Sequence, residues 1–299
     1  MQKIYFPIVH LFFFLASTIL TAQNDEVVIK IDKLSNDVYM LTGQGGNIGI
    51  YVGESHVYMI DDQFDRLSDK INAAIKTITD KPISVLVNTH MHGDHTGGNA
   101  KFNTNNTTVV AHTNVRKRMQ ANLKKDLDAN KIDAEHYEKM LPEVTFSDDI
   151  TFYDGDETIM VFHVHNAHTD GDVMIYFLNN NVIHMGDTYF AGRFPYIDLN
   201  NGGNAEGYIN AHKKALLVIN DETKIIPGHG SSSNKKELEI YMTMLADIKI
   251  KVLADVDAGK TLAQVQANAS ITAPYNETYG GGFISSKRIL EFFYKSLKK

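Results

Sequence analysis

Three histidines and an aspartate, His90, His92, Asp94 and His95, fall within six positions of the stretch NTHMHGDHTGGN (88–99), directly after the apolar run 83–87. Imidazole and carboxylate groups are metal ligands, and side chains two apart on extended backbone point the same way, so His90 and His92 can address one point. Gly93 and the pair at 97 and 98 let the chain curl behind them, which turns Asp94 and His95 toward a second point beside the first. A lone histidine in a polar loop is ordinarily just solvated. Four ligand-type residues at His-x-His-x-Asp-His spacing point instead to a metal centre. The chain has no cysteine, so a zinc site in it must be built from His, Asp and Glu.

The stretch resembles the signature of the metallo-β-lactamase superfamily, and three later segments follow in that family's order. HNAHTDGD is similar to its third-histidine loop and supplies His168, HMGDTYF to its bridging-aspartate strand end and supplies Asp187, and IIPGHG to its last motif and supplies His229. The similarity spans about residues 27–245. It implies a four-layer αββα sandwich of the α/β class with the site at one edge between two sheets. It also implies two Zn2+ ions per chain, with His90, His92 and His168 on one, Asp94, His95 and His229 on the other, and Asp187 bridging them. His163 and His165 flank the third motif and are the rivals to His168, but lack the Thr-x-Gly that follows it. His10, His56, His112, His136, His184 and His212 read as surface or core residues. Asp61, ending the strand of VYMIDDQF, is expected either to fix a ligand imidazole or to end a strand in a plain turn.

Two divalent ions about 3.5–4 Å apart can share a water and lower its pKa toward about 7, giving a metal-bound hydroxide as nucleophile, with Asp94 orienting it as the catalytic carboxylate. No serine nucleophile is then required, and Ser231, Ser232 and Ser233 read as a loop leading to a helix N-cap at Asn234. The expected function is an exported binuclear zinc hydrolase that opens an ester, thioester, lactone or amide bond in a small molecule. By resemblance, a bridging aspartate belongs to the glyoxalase II-like and lactonase-like branches. The alternatives are a β-lactamase, for which the Asp94-His95-His229 set matches one subclass, and an iron-dependent oxidoreductase of the same fold. A zinc-binding structural or sensor protein without turnover is the remaining rival.

The elements that must position these residues are short. Residues 27–31, 38–42, 48–52 and 57–60 read as β-hairpins, 67–77 as a helix, 83–87 and 108–111 as strands, and 115–140 as one or two polar helices. Residues 150–152, 158–164, 173–177 and 182–185 read as further strands, 205–219 as a helix, 224–226 as a strand and 234–258 as helix, before a last amphipathic helix. The loops 43–49 and 189–204 are the candidate substrate loops, with Tyr189, Arg193, Phe194 and Tyr196 as contacts. The glycines at 43, 45, 46 and 49 miss the dinucleotide-binding spacing and read as a tight turn.

With 29 Lys+Arg against 36 Asp+Glu, the net charge of −7 repels polyanions, so a small molecule is the expected partner and nucleic acid is not. Residues 1–22 carry Lys3 before an apolar run and read as a signal peptide, with 23–299 as the hydrolase domain. Cleavage would leave a periplasmic or secreted protein without stable membrane association; retention would leave an anchor. Export of a cysteine-free chain brings no disulfides, so stability must come from the core and any bound metal.

Overall fold

The computed structural model describes residues 27–104 and 106–298. The segment expected to direct export lies outside them. Residues 30–146 form a seven-stranded sheet in chain order, β1 (Lys30–Lys33), β2 (Val38–Thr42), β3 (Ile48–Val52), β4 (Val57–Ile60), β5 (Ile83–Asn88), β6 (Thr108–His112) and β7 (Val144–Phe146). The strands β1 to β4 pair antiparallel and β4 to β7 parallel. Parallel neighbours need crossovers. These are supplied by α1 (Ser68–Lys76), by α2 (Gly93–Thr96) with α3 (Asn99–Phe102), and by α4 (Thr113–Asp128) with α5 (Ala134–Met140).

The second sheet has six strands, β8 (Asp149–Asp154), β9 (Glu157–His163), β10 (Val173–Phe177), β11 (Val182–His184), β12 (Lys224–Ile226) and β13 (Ser233–Asn234). Its one parallel pair, β11 with β12, is joined through α6 (Ala205–Val218). The chain continues into α7 (Lys235–Asp257), α8 (Leu262–Ala267), α9 (Asn276–Tyr279) and α10 (Ser286–Leu297).

Strand alternation decides the layering, because both faces of each sheet are apolar. Val38, Met40, Tyr58, Ile60, Val87 and Val110 face Val161, Val173, Ile175, Phe177 and Ile226 across the space between the sheets. Their neighbours Leu41, Ile50, Met59, Leu86 and Val109 point outward onto Ile71 and Ile75 of α1. On the other side Met174, Tyr176, Ile183 and Ile225 pack against α6, α7 and α10. Fully burying each such side chain contributes roughly 1.5–3 kcal/mol, and burial on both faces holds each sheet between the other sheet and its helices. The result is the expected αββα sandwich of the α/β class, with helices outside both sheets.

Some boundaries differ from the sequence reading. The first strand starts at Lys30 rather than 27, as an exposed edge. The polar stretch 115–140 is two helices, the second opened by Asp133, whose side chain accepts from the His136 amide. The strand Val144–Phe146, too short and exposed to show a pattern, was not expected. The serines at 231–233 do lead into an N-cap at Asn234, which accepts from the Glu237 amide.

Candidate metal centre

All seven candidate ligands lie just beyond strand ends on one edge of the sandwich. The first sheet delivers four after β5: His90, then His92 as the N-cap of α2, then Asp94 and His95 within α2. The expected loose turn is in fact this short helical turn. The second sheet delivers His168 after β9, Asp187 in a 3-10 turn after β11, and His229 after β12.

Their donor atoms form two groups, His90, His92, His168 and Asp187 in one and Asp94, His95 and His229 in the other, each within 4.8 Å. In the first, Nδ1 of His92 lies 3.2 Å from Nε2 of His90 and 2.9 Å from Nε2 of His168. In the second, Nε2 of His229 lies 3.5 Å from Nε2 of His95 and 3.3 Å from Oδ2 of Asp94. Asp187 spans the two groups. Its Oδ2 is 3.5 Å from His168 and 3.8 Å from His90, while Oδ1 is 3.1 Å from His95 and 3.4 Å from His229.

These spacings suit ligands sharing a small divalent ion, since a bond of about 2.0–2.1 Å to nitrogen puts tetrahedral donors about 3.3 Å apart. A second observation agrees. Asp187 Oδ1 is buried and, among the described residues, accepts no well-aligned hydrogen bond but faces the ring nitrogens of His95 and His229, so its charge needs a cation, either those imidazoles protonated or a bound metal. The donor set therefore fits metal ions.

Partners behind three of the candidate ligands aim their imidazoles. His95 donates from Nδ1 to Asp61 at 2.7 Å, and Asp61 also accepts from the Thr89 amide and hydroxyl, both at 2.7 Å. His168 donates from Nδ1 to the Tyr196 carbonyl at 2.9 Å, and Nε2 of His92 meets Asp198 Oδ2 at 3.0 Å. Such bonds fix which ring nitrogen remains free for a metal. Two glycines permit the crowding: a Cβ on Gly46 would sit 2.1 Å from the His95 ring, and one on Gly228 2.1 Å from Asp187 Oδ1.

Electrostatics divides the donors. Burial holds His90 well below the usual imidazole range and lowers His168 to about 4, so both offer neutral nitrogens. Around Asp187, opposite charges overcome burial: the carboxylates of Asp187 and Asp61 hold His95 well above its ordinary value, and Asp187 pushes His229 up to about 9. Despite burial, His95 and His229 keep Asp187 well below the usual carboxylate range. A divalent ion binding here would displace those imidazole protons, so uptake would release protons.

The rival histidines sit elsewhere. His163 stacks on His112 with ring centroids 3.9 Å apart and donates to the Asp172 carbonyl, while His165 is exposed. A cavity of about 610 Å3 opens over the centre, lined by His92, Asp94, Asp187 and His229 with Gln44, Arg193, Tyr196 and Phe283. Of the expected substrate contacts, Arg193 and Tyr196 reach it. Tyr189 and Phe194 do not, because both are buried core residues, Tyr189 against Tyr241 and Phe194 against Tyr279.

Two participants escaped the sequence reading. Asp198 lies inside the loop named as a substrate loop, and its only local signal is an Asx-type turn accepting from the amides of Asn200 and Asn201. Phe283 follows a run of three glycines, which signals a turn but not where the turn leads.

Comparison with known proteins agrees with this geometry. The model of the metallo-beta-lactamase superfamily matches residues 41–229. Among solved structures, a metallo-beta-lactamase from Pontibacter korlensis superimposes with a TM-score of 0.59 at 19% identity, covering 73% of this chain and 99% of that one. The DIM-1 metallo-beta-lactamase gives 0.59 at 18%, covering 74% and 99%. The stereoselective inverting sec-alkylsulfatase Pisa1 from Pseudomonas sp. gives 0.67 at 16%, covering 89% of this chain and 50% of that one. At these identities the structures speak for the fold, and the family model, matching more than half the chain across every candidate ligand, establishes membership. The chain belongs to the metallo-beta-lactamase superfamily.

Proposed function

We propose that this protein is a binuclear zinc hydrolase, exported to the periplasm or beyond, that opens an ester, thioester or lactone bond in a small molecule. The observation that carries the reading is Asp187, whose two carboxylate oxygens face different donor groups. His90, His92 and His168 would hold one ion and Asp94, His95 and His229 the other. Bound there, two divalent ions supply an activated water and Lewis acidity toward a carbonyl or leaving group. The chain's own residues do the rest. Asp94, partly exposed in the cavity lining, would accept a hydrogen bond from the attacking water and orient it. Arg193, with no side-chain hydrogen bond or ion pair to the described residues, offers a guanidinium to an anionic group on the substrate.

Asp187, if it held both ions, would share its negative charge between them and make each a weaker Lewis acid, which would favour esters, thioesters and lactones over amides. β-Lactam hydrolysis is the second reading, supported by the likeness to named metallo-beta-lactamases. Steady-state kinetics on the zinc-loaded protein with β-lactam, lactone, thioester, carboxylic ester and sulfate ester substrates tests the ordering. Efficient turnover of penicillins or carbapenems, with only trace activity on the rest, would replace it with the second reading. Metal analysis of protein from its native host distinguishes zinc from the iron of an oxidoreductase.

A further inference from the structure

Phe283 stands out because it is a large apolar side chain left 64% exposed at the wall of a polar cavity. Apart from Tyr196 beside it, the cavity's side chains are histidine, carboxylate, amide and guanidinium. Its ring lies 6.1 Å from Phe190 and 6.3 Å from Tyr196, and Tyr196 in turn lies 6.0 Å from His92. An aromatic shelf therefore runs from the ligand His92 out to the rim.

The shelf is held in place. The Phe194 amide donates to the Tyr279 carbonyl at 2.9 Å, tying the segment before Phe283 to the loop that carries Arg193. Gly282 rests on the aliphatic stem of Arg193, where a Cβ would sit 3.1 Å from the Arg193 Cβ. On the far side Ile284 is buried, Ser285 caps α10, and Ser286 donates to Asn276 at 2.7 Å, closing the loop. With its neighbours anchored, the exposed ring is pre-organised, and little ordering entropy opposes a ligand that covers it. Phe283 lies beyond residues 41–229, so it is contributed by the chain's C-terminal segment and not by the part matching the family.

We propose that Phe283 is the specificity-determining residue of this site and that the substrate carries an aromatic or alkyl group beside the scissile bond, seated on the Phe283–Tyr196 shelf. This rests on the hydrolytic reading for the word substrate, though not for the binding itself. Covering the exposed ring should favour such a group over a methyl by about tenfold in kcat/KM, the range typical of apolar pocket discrimination.

The test has two arms. In the first, kcat/KM is measured for phenylacetate and acetate esters of one alcohol. The wild-type preference for phenylacetate should fall about tenfold in F283A and be largely restored in F283L. An equal preference in wild type and F283A would overturn the proposal. The second arm needs no turnover. The chain has no tryptophan, so F283W places a single reporter at the rim. Phenylacetate should shift its emission to the blue and acetate should not; identical spectra with both would overturn the proposal. Should neither ester turn over while the shift appears, carboxylic esters leave the hydrolytic reading and the binding shelf stands.

Discussion

His92 and Asp198, 106 positions apart, meet at 3.0 Å, with the imidazole Nε2 against Oδ2 of the carboxylate. This leaves Nδ1 of His92 facing His90 and His168, whereas those two histidines present Nε2. Asp198 also accepts from the side-chain amide of Asn201 at 2.6 Å, and Asn201 accepts from Arg118 on α4 at 2.8 Å. The aim of one candidate ligand is thus set from a helix on the outside of the sandwich.

Asp198→Ala should therefore weaken metal binding by about 10–100-fold without unfolding the protein, the usual effect of losing a partner behind a metal ligand. Titration with zinc against a chromophoric chelator reads this directly. Unchanged affinity would remove Asp198 from the account of the site.

Asp187→Ala tests the bridge. Metal content should drop from two ions per chain to one or fewer, with activity reduced by at least about 100-fold. Elemental analysis after dialysis gives the stoichiometry. Two ions retained with full activity would refute the assignment of ligands.

Gly46→Ala puts a methyl group where the His95 ring now lies. His95 is buried and pinned to Asp61, so the ring must shift rather than swing into solvent. A displacement of that kind near the reacting centre should cost about 100-fold in kcat/KM. The decisive companion measurement is zinc affinity of the same variant, which should fall along with kcat/KM if the His95 ring has moved; unchanged affinity and kcat/KM would mean that the ring is not held where the structure puts it.

How far the sequence carried this picture depended on distance along the chain. The two clusters of candidate ligands were legible because chemistry and spacing coincide within a few residues, as at His90 to His95, or because short motifs around His168, Asp187 and His229 keep an order that the fold brings together. The layered fold was legible through the family that those motifs resemble, and the succession of short strands and helices agreed with it without singling it out. Asp198 and Phe283 were not, since what matters about them is a partner more than a hundred or about ninety residues away. Tyr189 and Phe194 were misjudged for the same reason: their loop was recognised, but which of its side chains turn inward depends on Tyr241 and Tyr279 far downstream.

His212 provides a pH signature away from the centre. It is buried on α6, stacked on Tyr241, with no hydrogen-bond partner for Nε2 among the described residues, and burial lowers its pKa to about 4. Its folded value lies below the unfolded value near 6.5. Its neutral form is therefore accommodated above pH 6.5, and stability is lost as pH falls from there toward 4, by about 2–3 kcal/mol for this one group. Urea unfolding of wild type and His212→Phe at pH 7 and pH 4.5 should show the variant losing less on acidification. Equal losses would mean that His212 already finds a partner for its proton.

The two sheets each contribute part of both donor groups, with His90, His92, Asp94 and His95 on one side of the seam and His168, Asp187 and His229 on the other. Ions held there would act as a clasp across a sandwich that, having no cysteine, has no covalent tie between its halves. Because neither half alone offers a complete set, affinity for the ions depends on the sheets being docked, and by linkage the ions resist their separation. The chain would then exchange one safeguard for another, relying on the metal of its surroundings where a cysteine-bearing sandwich could rely on oxidation.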